Sequence, residues 1–272
     1  MKGFDETDPG PYLAESADLD PKVLMLADEG LDLGTYMRVA KLLQRDRYCF
    51  LNSYSELLAD GWLAKLDRAL GAHDVGIVGA TGSWASTRSW VSYVLGLPSS
   101  YGGLFPSRAI ARQVFAEIQA ERAGSAKPTK RASLESKLRV LAEVSQSVAF
   151  ERFPAYHVRT NAFMIERATL SRLRLRMVRG KMDAYRLENG RESFTRQVQR
   201  LGMRALVVDR HGSVYEADQW ARSRTLWQGD QEGLLVADNQ TNSYARGDDQ
   251  RRLVLSTFAW GRQADPGLRH PG

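Results

Sequence analysis

The chain has 272 residues, 43% of them hydrophobic and 26% charged, with a mean hydropathy of −0.39. These values lie near the averages of globular domains and exclude a collagen-like repeat, a long low-complexity filament and extensive disorder. No stretch reaches the roughly 18 consecutive apolar residues of a membrane-spanning helix, and the first ten residues lack a signal-peptide core, so the chain reads as cytosolic. Its one cysteine, Cys49, lies inside the apolar run Tyr48–Leu51, which excludes an internal disulfide and reads as a buried thiol. The net charge of +6 is unevenly spread. Residues 1–100 hold 9 Lys+Arg against 14 Asp+Glu, and residues 101–272 hold 29 against 18. An arginine-rich second half suits phosphate, carboxylate or an acidic lipid surface; a solvated basic face is the plain alternative.

Residues 1–20 are acidic and proline-bearing, and read as a loop or short helix. Val23–Ala27 is a short apolar run closed by Asp28-Glu29-Gly30, the pattern of a buried strand and turn. A helix follows over 35–44, with Thr35 as its N-cap. Tyr48–Leu51 is a second strand ending in Asn52–Glu56, and a helix over 61–70 places Trp62, Leu63, Leu66 and Leu70 on one face. A third strand, Val75–Val78, runs into Gly79–Trp84. Three strands separated by amphipathic helices predict βαβ units and a mainly parallel sheet, with the loops 28–32, 52–56 and 79–84 on one rim.

Residues 105–150 read as a helical insertion whose second helix spans about 132–147. Beyond it come a strand at Ala162–Ile165, a helix through Leu170 and Leu173, a helix over 192–201 closed by Gly202, a strand at Leu206–Val208, and a helix over 248–260. Residues 263–272 read as a mobile tail after a single domain over 1–262.

The four histidines are scattered without metal-ligand spacing. Gly76, Gly79 and Gly82 follow a strand but match no phosphate-loop pattern, and a turn approached closely by a neighbour is the better reading. No G-x-S-x-G elbow appears. Two polar clusters stand out. In Leu187–Gln197 the Asn189-Gly190 turn precedes a helix that Ser193 can cap. A carboxylate there suits general-base work, beside anion-binding Arg191 and Arg196; a surface helix start is the alternative. In residues 220–241, indoles lie near hydroxyls and carboxamides, as in carbohydrate sites or in a loop pinned by packed tryptophans.

With these segments in place, residues 23–209 resemble the GT-A class of glycosyltransferases, in particular family 2-like enzymes of bacterial surface polysaccharide assembly. Asp28-Glu29-Gly30-Leu31-Asp32 is similar to that family's D-x-G-x-D segment. Phe50–Glu56 followed by Asp60-Gly61-Trp62-Leu63 is similar to its metal-motif strand and the segment beyond. Arg159–Ile165 resembles its acceptor-side strand, and Glu188–Gly202 its E-D motif and helix. The resemblance implies an α/β fold with a GT-A-like, Rossmann-like sheet flanked by helices. It also implies inverting sugar transfer from a nucleotide-sugar to a saccharide acceptor in the cytoplasm, with peripheral association at the inner membrane face.

Glu188 or Glu192 would then be the general base, with Glu188 favoured because it precedes the turn. Asp28, Asp32, Asn52, Ser53, Ser55, Glu56, Arg159, Arg191 and Arg196 would contact the donor. Trp84, Asn161, Trp220 and Asp238 would shape the sugar or acceptor pocket. Two departures qualify the match. Asn52 and Tyr54 stand where the family has aspartates for Mg or Mn, and neutral ligands hold a hard cation poorly, so arginines are expected to meet the diphosphate instead. Less chain than expected precedes the first strand, so part of the donor site is expected to be missing, through a shortened protein or a start upstream of Met1. A non-catalytic nucleotide- or carbohydrate-binding relative is the rival reading. A nucleic-acid partner is not expected, because no basic helix or aromatic-interleaved strand motif supports one.

Overall fold

The computed structural model describes residues 8, 10–14, 17–27, 29–123, 145–265 and 267. The short helix α1 (Gly10–Ala14) precedes α2 (Leu31–Leu42), which leads into strand β1 (Arg47–Leu51). Then come β2 (Glu56–Leu57), α3 (Trp62–Leu70), β3 (Val75–Gly79), β4 (Gly82–Ser83), α4 (Thr87–Val94) and α5 (Arg108–Ala123). After residues 124–144 the chain forms β5 (His157–Val158), β6 (Ala162–Glu166), α6 (Arg167–Arg172), α7 (Lys181–Asn189) and α8 (Phe194–Arg200). It ends with β7 (Arg204–Val208), β8 (Val214–Tyr215), β9 (Val236–Ala237), α9 (Asn239–Ala245) and α10 (Asp249–Trp260).

The central sheet has the order β1-β6-β3-β7-β8 and is mixed, which corrects the expectation of a mainly parallel sheet. β1 and β3 both pair antiparallel with β6, so they run the same way with β6 reversed between them. β7 is parallel to β3, and β8 turns back along β7. The reversal has a geometric cause. The long excursion between β3 and β6 brings the chain back at the end where β1 and β3 finish, so Ala162 pairs with Leu51 and Phe163 with Gly79. Residues 157–161 therefore lie on the same rim as the carboxyl ends of β1 and β3.

Side chains alternate across the sheet. Phe163 and Ile165 point into one core with Tyr36, Phe50, Phe194, Val198, Ile77 and Val207; Ala162 and Met164 point into another with Leu66, Leu70, Val78 and Val208. The sheet is thus covered on both faces, as its near-continuous apolar strands require. Tyr36 of α2 stacks on Phe50 of β1 at 4.7 Å between ring centres, and Phe50 lies 5.1 Å from Phe163. These rings lock α2 against the two strands that bound the rim.

Three further expectations are corrected. Val23–Ala27 is not a strand: Val23 and Met25 are 40% and 55% exposed, and only Leu26 makes a bridge. This five-residue apolar run, bounded by Pro21 and acidic residues, leaves Val23, Met25 and Ala27 exposed. The helix expected over 35–44 begins four residues earlier, after Gly30 in a left-handed turn (φ 76°), and Thr35 bonds back to the Leu31 carbonyl inside it. The helix expected over 192–201 starts at Phe194, capped by Ser193, whose hydroxyl accepts from the Arg196 amide. Of the insertion, α5 is present and Ser145–Ser147 are helical; the rest of the second helix lies outside the described residues. Asp28 and most of the tail also lie outside them.

Candidate active site

The rim is built by the segment 157–161 and what it touches. The Asn52 amide donates to the Asn161 carbonyl (2.9 Å), and the Ala80 amide to that of Ala162 (3.0 Å), so the ends of β1 and β3 are stitched across β6. Two of the three expected rim loops thus meet at Asn161. Its side-chain oxygen accepts from the Thr81 hydroxyl (2.8 Å), while its amide nitrogen Nδ2 is buried with no hydrogen-bond partner among the described residues.

Glu188 lies in the last turn of α7. Its carboxylate accepts from the hydroxyl of Thr160, the residue before Asn161. The helix stops at Asn189 because Gly190 turns tightly back: a Cβ there would lie 2.5 Å from the Arg186 carbonyl oxygen. Beside Glu188 are Tyr36 and His157. Burial first, then the charges of Asp32 and Glu188, push the Tyr36 phenol up, and its hydroxyl has no partner among the described residues. Burial pushes His157 below the ordinary histidine range, opposed by the Glu188 charge and assisted by Arg159 and Arg196. His157 Nδ1 donates to the Ala155 carbonyl at 2.7 Å, which leaves Nε2 as the acceptor in the neutral ring. The structure therefore brings Glu188 and, through Tyr36, Asp32 from the expected set together with Thr160, Tyr36 and His157, which the sequence alone does not assign; Asn161 joins Arg159 instead, through the Thr81 hydroxyl that accepts from the guanidinium at 3.4 Å. The available signal was the polar run His157, Arg159, Thr160, Asn161 immediately before an apolar strand.

The two glutamates separate cleanly. Glu192, beyond the turn, pairs with Arg200 at 2.8 Å on the surface, whereas Glu188 faces the rim. Glu192 thus lies away from the Thr160 cluster, its carboxylate held by an exposed cation.

Other expected contacts are also corrected. Trp84 and Trp220 are 5% and 0% exposed and belong to the core, with their indole nitrogens bonded to the carbonyls of Ala217 (2.8 Å) and Tyr215 (3.1 Å). Trp84 meets Tyr156 and Trp260 edge-on, so protein already occupies the ring faces a sugar would need. Asp238 is 1% exposed; one oxygen caps α9 through the amides of Gln240 (3.0 Å) and Thr241 (2.9 Å), and the other accepts from Arg159 at 2.7 Å. Arg159 and Asp238 are therefore partners of each other rather than ligands of donor and acceptor. Arg196 is likewise paired with Glu151, and the exposed Arg191 reaches the Phe150 carbonyl at 3.5 Å. Gly79 and Gly82 are close-approach positions: a Cβ would lie 2.4 Å from Val158 and 2.6 Å from Trp220.

The loop 52–56 does not fit a divalent cation. Asn52 Oδ1 accepts from the Tyr54 amide (3.1 Å) and the Ser55 hydroxyl (3.0 Å), so its lone pairs are already directed within its own turn. Ser53 and Tyr54 face solvent, and Glu56 sits exposed on β2 opposite Ala237. Among the described residues no group of three or more His, Cys, Asp or Glu is placed to hold a metal, and none of their helices is long and apolar enough to cross a membrane. Comparison of the chain with protein-family models, with curated proteins and with solved structures gives no match.

Proposed function

We propose that this chain is an inverting glycosyltransferase of GT-A type that moves a sugar from a nucleotide-sugar donor to a saccharide acceptor in glycan assembly. The observation that carries the reading is Glu188, a half-buried carboxylate oriented by Thr160 on the rim where β1 and β3 end. Tyr36 Oη, without a protein partner among the described residues, adds an unsatisfied polar group beside Glu188. Ligands of open α/β sheets gather at such rims, and unpaired buried polar atoms mark where a ligand or water completes the hydrogen bonding.

In the proposed reaction Glu188 accepts the proton of the acceptor hydroxyl as that oxygen attacks the anomeric carbon. The bond from that carbon to the diphosphate oxygen breaks, and the nucleoside diphosphate leaves with the electron pair. Thr160, donating to the carboxylate, fixes its direction. A positioned base of this kind contributes about 10² to 10⁴ in rate. No step is routed through a metal.

A second reading, a non-catalytic nucleotide- or carbohydrate-binding relative, is favoured by the internal pairing of Asn52, Arg159 and Arg196, which removes the groups expected on a diphosphate. A thermal-shift panel of nucleotide-sugars, followed by product analysis, separates the two. Stabilisation by one donor together with release of its nucleoside diphosphate supports transfer; saturable binding without turnover supports the binding relative.

A further inference from the structure

From Leu173 to Arg179 the chain has no regular secondary structure: Leu173 and Val178 are buried, Leu175 is half-buried, and Arg174, Arg176, Met177 and Arg179 face solvent. The ribbon is pinned to α2 where Val178 lies against two glycines; a Cβ on Gly30 would stand 3.2 Å from the Val178 carbonyl oxygen, and one on Gly34 3.7 Å from its Cβ. Ribbon and helix together enclose an open groove of about 870 Å³, with Lys41 and Arg38 on the helix side and Arg176 and Arg179 on the ribbon side. Among the described residues no carboxylate forms an ion pair with Lys41, Arg174, Arg176 or Arg179; Arg38 alone has one, with Glu29 at 4.0 Å. Around these cations stand large apolar side chains in water: Met177 is 74% exposed, Leu42 60% and Leu31 44%.

We propose that this face, the outer side of α2 with the ribbon 174–179, docks on the surface of an anionic lipid bilayer. The charge is complementary to lipid phosphates, and like-charged arginines without carboxylate partners among the described residues gain most from an external polyanion. The exposed methionine and leucines decide between polyanions. A nucleic-acid backbone offers them nothing to bury against, whereas the boundary between headgroups and acyl chains accepts apolar side chains while the guanidinium groups remain among phosphates. The proposal does not rest on sugar transfer, since the face lies on the opposite side of α2 from Tyr36 and uses none of the residues placed around Glu188.

The test is co-sedimentation of the whole chain with phosphatidylcholine vesicles, with and without about one-third phosphatidylglycerol, at low and moderate salt. The proposal expects binding only to the anionic vesicles, weakening as salt rises. In Arg176→Gln/Arg179→Gln, partitioning falls roughly 25-fold, about fivefold for each charge removed. Met177→Ser, which keeps every charge, weakens binding by a smaller factor; thermal melts of all variants check that the fold is unchanged. Equal binding to neutral vesicles, no binding to anionic ones at low salt, unchanged partitioning of the double variant, or displacement of vesicles by an equal charge of duplex DNA would each overturn it. Loss of transferase activity leaves these readouts untouched, so failure of the two proposals is distinguishable.

Discussion

Two consecutive residues of one segment, Arg159 and Thr160, lead to polar clusters of opposite character. Arg159 points inward to Asp238, where ion pair and helix cap are closed in a 1% exposed site. Thr160 points to Glu188, a half-exposed carboxylate near a phenol without a partner among the described residues. In the first cluster each charge meets its complement inside the protein, which fixes the loop. In the second, acceptor and donor capacity remain. Polar residues of similar type on one loop thus divide into a fastening and a candidate site, and burial with saturation separates them.

The comparison is broken most directly by substitution at each end. Glu188→Gln is expected to lower transfer by about 10² to 10⁴ while leaving the melting temperature nearly unchanged, because a half-exposed carboxamide keeps the Thr160 hydrogen bond. An unchanged rate would remove Glu188 as the base. Asp238→Ala should act in the reverse sense. It strands Arg159 in the interior and removes the α9 cap, at a cost of roughly 3–5 kcal/mol, seen as a melting temperature lower by roughly 10 °C. A shift of only a degree or two would mean that the pair is not a fastening.

His157 tests the space between the clusters through pH. Burial keeps its folded form harder to protonate than the ordinary histidine at 6.5, so the unfolded chain binds the extra proton as pH falls below that value. Its contribution to stability is full above 6.5 and declines by about 1.4 kcal/mol per pH unit below it until the folded ring protonates. Denaturant midpoints at several pH values should show this slope, and His157→Gln should flatten it. The smallest effect is expected at Cys49 on β1. Burial pushes its thiol up to about 12. Cys49 is half-buried, so an alkylating agent at mildly basic pH should label it more slowly in the folded than in the unfolded chain; native labelling at the unfolded rate would contradict the packing of β1 against β6.

Much of the fold was legible because short apolar runs bounded by turns mark buried strands: β1, β3, β6 and β7 lie within a residue or two of the expected positions. Their order was not, because the reversed entry of β6 between β1 and β3 depends on where an 82-residue excursion returns, which no local pattern records. At the site, Glu188 and Glu192 could be ranked because the Asn189-Gly190 turn divides them. The tryptophans could not, since an indole that stacks on a sugar and one that fills a core look alike until burial is known. Arg159 and Asp238 are separated by 79 positions in the chain, and without their contact each reads as a free charged group.

The proposed transfer of sugar with inversion at the Glu188 rim can be followed bond by bond. Proton NMR of the intact protein with the nucleotide-sugar that stabilises it most, plus a saccharide acceptor, follows the anomeric signal of donor and product directly. A new glycosidic anomeric proton of opposite configuration to the donor is expected, appearing with stoichiometric nucleoside diphosphate and suppressed in Glu188→Gln. Retention of configuration, or saturable binding of the donor with no new anomeric signal, would contradict it.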